Sequence, residues 1–287
     1  MLQNFPIKKI DKDDFPESLL EIPQVPKQLF IRGDFPLKDL ILLSVVGSRK
    51  YTPYGKDACK KLIEGLRGYP VCIVSGLALG IDSIAHETAL SVGLKTIAIP
   101  GSGLEENVIY PKSNLNLAKR ILENGGCLIS EFEPKQNAAL WTFPQRNRIM
   151  AGLSKAVLVI EAEEKSGTLI TARLATEYNR DVLTVPGSIF SSASSGPHML
   201  IRLGATPVKN SEEILETLGI ETQNKTAKEY NDLNDIENKI IESLSEPLTK
   251  DELLEILDMN IQTLNTNLMM LEIKGYTKES SGKVFVI

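Results

Sequence analysis

The sequence predicts an α/β protein: an extended Rossmann-like, doubly wound sheet followed by a small C-terminal winged-helix domain. Two observations carry the first part. Short apolar runs of strand length recur between Leu40 and Val185, and a segment of helical period follows each. Strands apolar on both faces, with helices between them, form a parallel sheet covered on both sides. The third observation is a change of pattern after residue 234, where three short helix signals precede two strand-like stretches.

Residues 1–38 are punctuated by Pro6, Pro16, Pro23, Pro26 and Pro36 and read as an extended lead-in carrying one strand, Gln28–Arg32. The Rossmann-like domain spans 39–220. Its strands are Ile41–Val46, Val71–Val74, Thr96–Ile99, Leu128–Ile129, Ala156–Ile160 and Val182–Val185. The helical period is clear after the second strand, where Ile81, Ile84, Ala85, Thr88, Ala89 and Val92 share one face. A helix over Ser211–Leu218 closes the domain. Residues 221–234 are polar and without period, so they read as a linker. The winged-helix domain, 235–287, has helices at Asp235–Ser243, Lys250–Leu257 and Gln262–Glu272. Its hairpin strands are Gly275–Lys278 and Lys283–Ile287.

Composition narrows the class. The chain has 287 residues, 42% hydrophobic and 24% charged, which is ordinary for a globular protein. No apolar run reaches the ~18 residues that argue for a membrane span. Met1 to Asp14 lacks the apolar core of a signal peptide. Cys59, Cys72 and Cys127 are odd in number and lie in apolar patterns, as expected of reduced core thiols in a cytoplasmic protein. With only His86 and His198, and no Cys-x-x-Cys, neither a metal site nor another cofactor is expected. The net charge of −5 is unevenly spread. Residues 1–225 carry 26 Lys+Arg against 25 Asp+Glu, whereas 226–287 carry 6 against 12 and no arginine. Any surface suited to a polyanion therefore belongs to the first part.

In an open α/β sheet the ligand crevice lies at the strand C-termini and the helix starts that follow. Glycine and small hydroxyl residues crowd those points here: Gly47-Ser48-Arg49, Ser75-Gly76, Pro100-Gly101-Ser102-Gly103, Ser166-Gly167-Thr168 and Pro186-Gly187-Ser188. Glycine admits close approach of a ligand, and free helix N-terminal amides attract anions. Turns of α/β domains also use Gly and Ser for purely local reasons. Arg49 tips the first turn towards phosphate, because its guanidinium forks onto phosphate oxygens. The stretch Phe143-Pro144-Gln145-Arg146-Asn147-Arg148, with Trp141 before it, adds charge and flat rings. Single strands are held by that combination. Either arginine could instead pair with a carboxylate such as Glu131 or Glu161, with Trp141 simply packing. His86 with Asp82 four residues earlier reads as a core histidine more readily than as an acid–base pair, since no nucleophile stands beside it. Glu161 and Glu163 alone are a weak metal motif.

In chain order, the motifs Val45-Val46-Gly47-Ser48-Arg49, Ser75-Gly76-Leu77-Ala78-x-Gly80-Ile81-Asp82-x-x-Ala85-His86, Arg146-Asn147-Arg148-Ile149, Ser166-Gly167-Thr168-Leu169-Ile170-Thr171-Ala172 and Pro186-Gly187 resemble the DprA/Smf family over residues 15 to about 218. The resemblance implies a homodimer through the Rossmann-like domain. It implies binding and protection of single-stranded DNA, and delivery of that DNA to the RecA recombinase during natural transformation. It also implies that Arg49 and the Arg146–Arg148 segment face the DNA. The DNA-binding set is then Gly47, Ser48, Arg49, Ser75, Gly76, Phe143, Arg146, Asn147, Arg148, Ser166, Gly167 and Thr168, with no catalytic residue.

The rival is an enzyme. The lysine-decarboxylase-like phosphoribohydrolases resemble this sheet and follow a comparable Gly-Thr loop with glutamate. Here Leu169-Ile170-Thr171 stand after the loop, and an oxocarbenium ion would lack its carboxylate. A transcription factor built on the winged helix is disfavoured by the acidity of that domain.

Overall fold

The alternation of apolar residues along the strands decides the architecture. In the computed structural model, which describes residues 2–35, 39–221, 233–244, 247–280 and 282–286, the chain divides into two units at residues 222/223. The expected linker lies almost wholly outside the described residues.

The first unit is built on β1 (Lys8–Asp11), α1 (Glu17–Leu20), β2 (Gln28–Gly33), β3 (Ile41–Val46), α2 (Pro53–Glu64), β4 (Val71–Ser75), α3 (Ile81–Ser91), β5 (Lys95–Ala98), α4 (Leu115–Glu123) and β6 (Cys127–Ser130). It continues through α5 (Thr142–Leu153), β7 (Ala156–Val159), α6 (Thr168–Glu177), β8 (Asp181–Thr184), α7 (Ser195–Arg202), β9 (Thr206–Pro207) and α8 (Ser211–Thr217). These strands form one nine-stranded sheet in the order β1-β2-β6-β5-β4-β3-β7-β8-β9. From β6 to β9 every neighbouring pair is parallel. The sheet is therefore Rossmann-like, with a mixed edge.

That edge departs from expectation. The first 35 residues do not trail ahead of the domain. β2 pairs antiparallel with β6, and β1 with β2, so the proline-punctuated segment widens the sheet by two strands. Pro6, Pro16, Pro23 and Pro26 sit outside the strands, where no ladder amide is needed.

Successive residues of a strand point to opposite faces. In β4, Val71 and Ile73 bury against Cys59, Leu62 and Ile63 of α2 and Ile81 and Ala85 of α3. Cys72 and Val74 bury on the other side with Ile149 and Met150 of α5 and Ala172 of α6. Both faces are thus covered, and β4 and β7 have no exposed residue. Cys59, Cys72 and Cys127 are buried and free, and burial pushes the Cys59 thiol up to about 12.

The second unit contains α9 (Asp235–Ser243), β10 (Leu248–Thr249), α10 (Lys250–Leu257), α11 (Ile261–Ile273), β11 (Thr277–Ser280) and β12 (Lys283–Val286). The strands pair antiparallel in the order β10-β12-β11. Each helix start is capped: Asn234 and Thr249 form capping boxes with Glu237 and Glu252, and the Asn260 side chain accepts from the amide of Thr263. Leu264, Leu268 and Leu271 of α11 are buried with Ile240, Leu253 and Val284.

Candidate functional site

Because β3 to β8 run parallel, the turns that follow them all emerge at one edge of the sheet. There the chain leaves a crevice of about 430 Å³. Its walls include Gly47, Ser48, Arg49 and Lys50 after β3, Phe143, Arg146 and Asn147 of α5, and Lys165, Ser166, Gly167 and Thr168 at the start of α6. Most of the residues expected from sequence therefore meet, although they come from three distant segments.

Local bonds hold these turns. Ser48 Oγ donates to the Lys50 carbonyl, 2.7 Å, and accepts from the Lys50 amide, 3.0 Å. Thr168 Oγ1 reaches across to the Gly47 carbonyl, 3.1 Å, and ties the α6 start to the β3 turn. The Ile81 amide bonds the Ser48 carbonyl, 3.2 Å, so α3 supports the same turn from below.

The Arg49 guanidinium lies over the Phe143 ring, 5.3 Å from its centroid, and the residue is exposed. Phe143 packs onto the turn after β5. A Cβ at Gly101 would come within 2.6 Å of its ring, so only glycine allows that seat. Arg146 lies deeper, 5% exposed, and one Nη donates to the Ile99 carbonyl. Its Nε is buried with no hydrogen-bond partner among the described residues. Burial lowers its pKa to about 10, and the nearby Asp82 carboxylate works against that fall, so Arg146 keeps its charge at neutral pH. Asp82 in turn accepts from the amides of Gly76, 3.1 Å, and Ala78, 3.3 Å. Its pKa is raised by burial, against the pull of Arg146 and those amides.

Three expected residues take other roles. Ser75 is fully buried and its hydroxyl donates to the Val45 carbonyl, 2.7 Å. Gly76 lies behind Arg146, where a Cβ would come within 1.8 Å of the guanidinium, so its task is to make room for that arginine. Arg148 is the clear correction. It is 8% exposed and turned into the protein. Its Nη2 donates to both oxygens of Glu131, 2.5 and 2.7 Å, and Nη1 donates to the Gln24 carbonyl. On α5, residues two apart point to different sides, so Arg146 and Arg148 cannot both face one crevice.

His86 is buried, with Nδ1 2.7 Å from Thr96 Oγ1, and burial lowers its pKa to about 3. It is a neutral core residue. Glu161 accepts from the Thr52 amide, 2.9 Å, and the Thr52 hydroxyl. It lines a separate hollow with Tyr54 and the Pro186-Gly187-Ser188 turn, so that turn does not extend the crevice. Sequence reading missed Lys50 and Lys165, which carry no motif, and the carboxylate of Asp82 in the same wall.

A family model described as DNA recombination-mediator protein A matches residues 7–219, wholly within the first unit. The chain is 44% identical over 213 residues to the DNA processing protein DprA of Streptococcus pneumoniae, covering 74% of each. It is 45% identical over 208 residues to Protein Smf of Escherichia coli, a match spanning 72% of this chain and 55% of Smf. The X-ray structure of the Streptococcus pneumoniae protein superposes with a TM-score of 0.69 at 40% identity, covering 77% of this chain and 76% of that one. The DNA processing protein A structure from Helicobacter pylori, described for its unique single-stranded DNA binding mode, gives 0.67 at 31% identity and covers 76% and 98%. With the crevice motifs in place and three quarters of the chain aligned, this protein belongs to the DNA recombination-mediator protein A family.

Proposed function

We propose that the chain binds and protects single-stranded DNA in the crevice, in the cytoplasm, and delivers it to the RecA recombinase during natural transformation. The observation that carries the reading is the crevice wall: four cations, Arg49, Lys50, Arg146 and Lys165, outnumber two carboxylates, Asp82 and Glu163, and Arg49 is set over the Phe143 ring. Cations track phosphates, and Phe143 seats the Arg49 guanidinium at the wall. The Helicobacter pylori relative, described by its single-stranded DNA binding mode, supports it. We assign Gly47, Ser48, Arg49, Phe143, Arg146, Asn147, Ser166, Gly167 and Thr168 to DNA contact and withdraw Ser75, Gly76 and Arg148. The role is binding without catalysis, since Leu169, Ile170 and Thr171 follow the glycine loop where a hydrolase of this type needs a carboxylate. The RecA step is checked by whether the purified chain speeds recombinase filament growth on single strands.

We read the second unit, from its element order, as a winged helix and assign it to protein contact. α11, in the place of a recognition helix, has no Lys or Arg. It exposes Met269, Met270 and Ile273 instead. Base readout rests on prior phosphate anchoring, which this helix lacks.

A band-shift series with single- and double-stranded DNA across salt tests both assignments. Expected are preference for the single strand and affinity that falls as salt rises. A chain ending at Lys225 keeps most of that affinity. Equal affinity for duplex, or no salt dependence, sinks the crevice reading. Lost affinity in the folded shorter chain sinks the assignment of the second unit.

The homodimer interface belongs to the first unit. Ile189 and Phe190 are 79% and 94% exposed beside α7, whose Leu203 end is 74% exposed and whose Met199 faces out one turn earlier. His198 Nε2 lies 3.0 Å from the Gly187 carbonyl and fastens loop to helix. Exposed apolar side chains on one loop and the helix it is fastened to suit an interface, and a self-complementary one closes a dimer. Phe190→Glu is expected to halve the mass in sedimentation while the melt of the fold is unchanged. A dimer that survives both this and Leu203→Glu places the interface elsewhere.

A further inference from the structure

The family match begins at residue 7, so residues 2–5 lie ahead of it. They are nevertheless seated in the first unit. Leu2–Asn4 form a short 3-10 turn, closed by the Phe5 amide on the Leu2 carbonyl, 2.9 Å. The Leu2 side chain is 1% exposed. It is buried in a cluster with Phe30 of β2, Leu117 of α4, and Leu77, Leu104 and Ile109, and Phe5 packs against the same cluster.

The backbone of Leu2 is also held by residues far along the chain. Its amide donates to Glu106 Oε2, 3.2 Å, and Arg32 Nη1 donates to its carbonyl, 2.6 Å. Arg32 is 8% exposed, and its Nε has no hydrogen-bond partner among the described residues. Among those residues the Leu2 carbonyl is the one acceptor that the guanidinium has. A buried donor left without an acceptor is costly, so Arg32 favours the seated turn.

The cluster reaches the crevice through two segments. Leu77 precedes Ala78, which lines the crevice. Leu104 and Ile109 bracket the turn that bears Glu106, closed by the Ile109 amide on the Glu105 carbonyl, 3.2 Å. Ile109 precedes Tyr110, whose ring centroid is 5.9 Å from that of Phe143, and Phe143 carries the Arg49 guanidinium. Asn114 ties the two segments together, donating to the carbonyls of Leu77, 2.8 Å, and Ala78, 3.2 Å. The far side of the β5–α4 loop is held without Leu2, through the amides of Gly103 and Glu105 on the carbonyls of Gln136 and Pro134. Leu2 supplies the near support.

We propose that Leu2 is a positioning residue for the crevice: its seated turn holds the β5–α4 loop, and with it the Phe143 ring on which Arg49 rests. The effect on DNA rests on the crevice reading above. Without the turn the wall is formed for only part of the time, and apparent affinity falls by that fraction. Leu2 itself touches no phosphate in this account, so the salt slope does not change.

The test uses the full chain, Leu2→Ala, Leu2→Met and a chain lacking residues 1–5. Hydrogen exchange of the free protein reads the loop, and band shifts with single-stranded DNA read affinity. Leu2→Ala and the shortened chain are expected to exchange roughly ten-fold faster or more over residues 101–114, with a smaller change in β4 and β7. Both bind the single strand about three-fold more weakly or worse, at the parent's salt slope. Leu2→Met, of similar volume, behaves like the parent. If the shortened chain does not fold, Leu2→Ala decides alone. Equal acceleration over the loop, β4 and β7 makes Leu2 a general core residue and overturns the proposal. Parent-like affinity in a chain whose loop is loosened overturns it too, and leaves the crevice reading standing. So does a Leu2→Met variant as weak as Leu2→Ala. A parent chain that binds no single strand overturns both.

Discussion

Arg148→Ala destabilises the first unit by about 3–5 kcal/mol, the usual result of leaving one member of a buried ion pair behind. The side chains of Arg148 and Glu131 are 10% and 13% exposed, so little solvent reaches the stranded carboxylate. The Gln24 carbonyl also loses its donor. The pair joins α5 to the end of β6, and through Gln24 to the segment leading into β2, so the loss is felt where the antiparallel edge meets the parallel sheet. Chemical denaturation at constant slope gives the number. Replacing both partners, as Arg148→Met with Glu131→Leu, recovers most of it, because no charge remains buried. A single variant with parent-like stability and weakened DNA binding would return Arg148 to the DNA face.

Arg49→Ala has the opposite signature. It weakens single-strand binding by roughly ten-fold or more, from a loss of ~1.5–3 kcal/mol for a charge-assisted contact, and leaves the melt of the fold unchanged. Arg49 is exposed and makes no ion pair among the described residues, so its removal strands nothing inside the protein. The slope of log affinity against log salt falls by ~0.7, the share of one phosphate on a single strand. Lysine at this position recovers charge and slope but only part of the affinity, because the guanidinium fork and its face on Phe143 are lost. Full affinity in Arg49→Ala, or a lowered melt, falsifies the assignment.

Most of the α/β pattern was legible in the chain. β3 runs over the residues read for it, Ile41–Val46, and β4, β5, β6, β7 and β8 lie within one or two residues of expectation. Buried parallel strands are apolar at every position, and little else in a soluble chain looks like them. The helices Asp235–Ser243 and Lys250–Leu257, read from their period, run over those residues, and in the structure Asn234 and Thr249 cap them. β1 was missed, because Lys8–Asp11 is an exposed edge strand with a polar pattern and pairs only on one side. The antiparallel pairing of β2 with β6 could not be read either, since a strand's apolar pattern is the same in both directions.

By itself the sequence determined which residues are apolar at strand and helix spacing and how charge divides between the two units. Those are local properties, set within a few residues. Tertiary structure alone decided which arginine meets solvent and which meets Glu131. It also decided that Gly76 yields its space to Arg146 and Gly101 to Phe143, and that Thr168 reaches Gly47 across 121 positions. The physical reason is direction: composition states that an arginine is present, but its helix's rotation and the carboxylate brought opposite by another element decide whether its charge is held inside or offered outside.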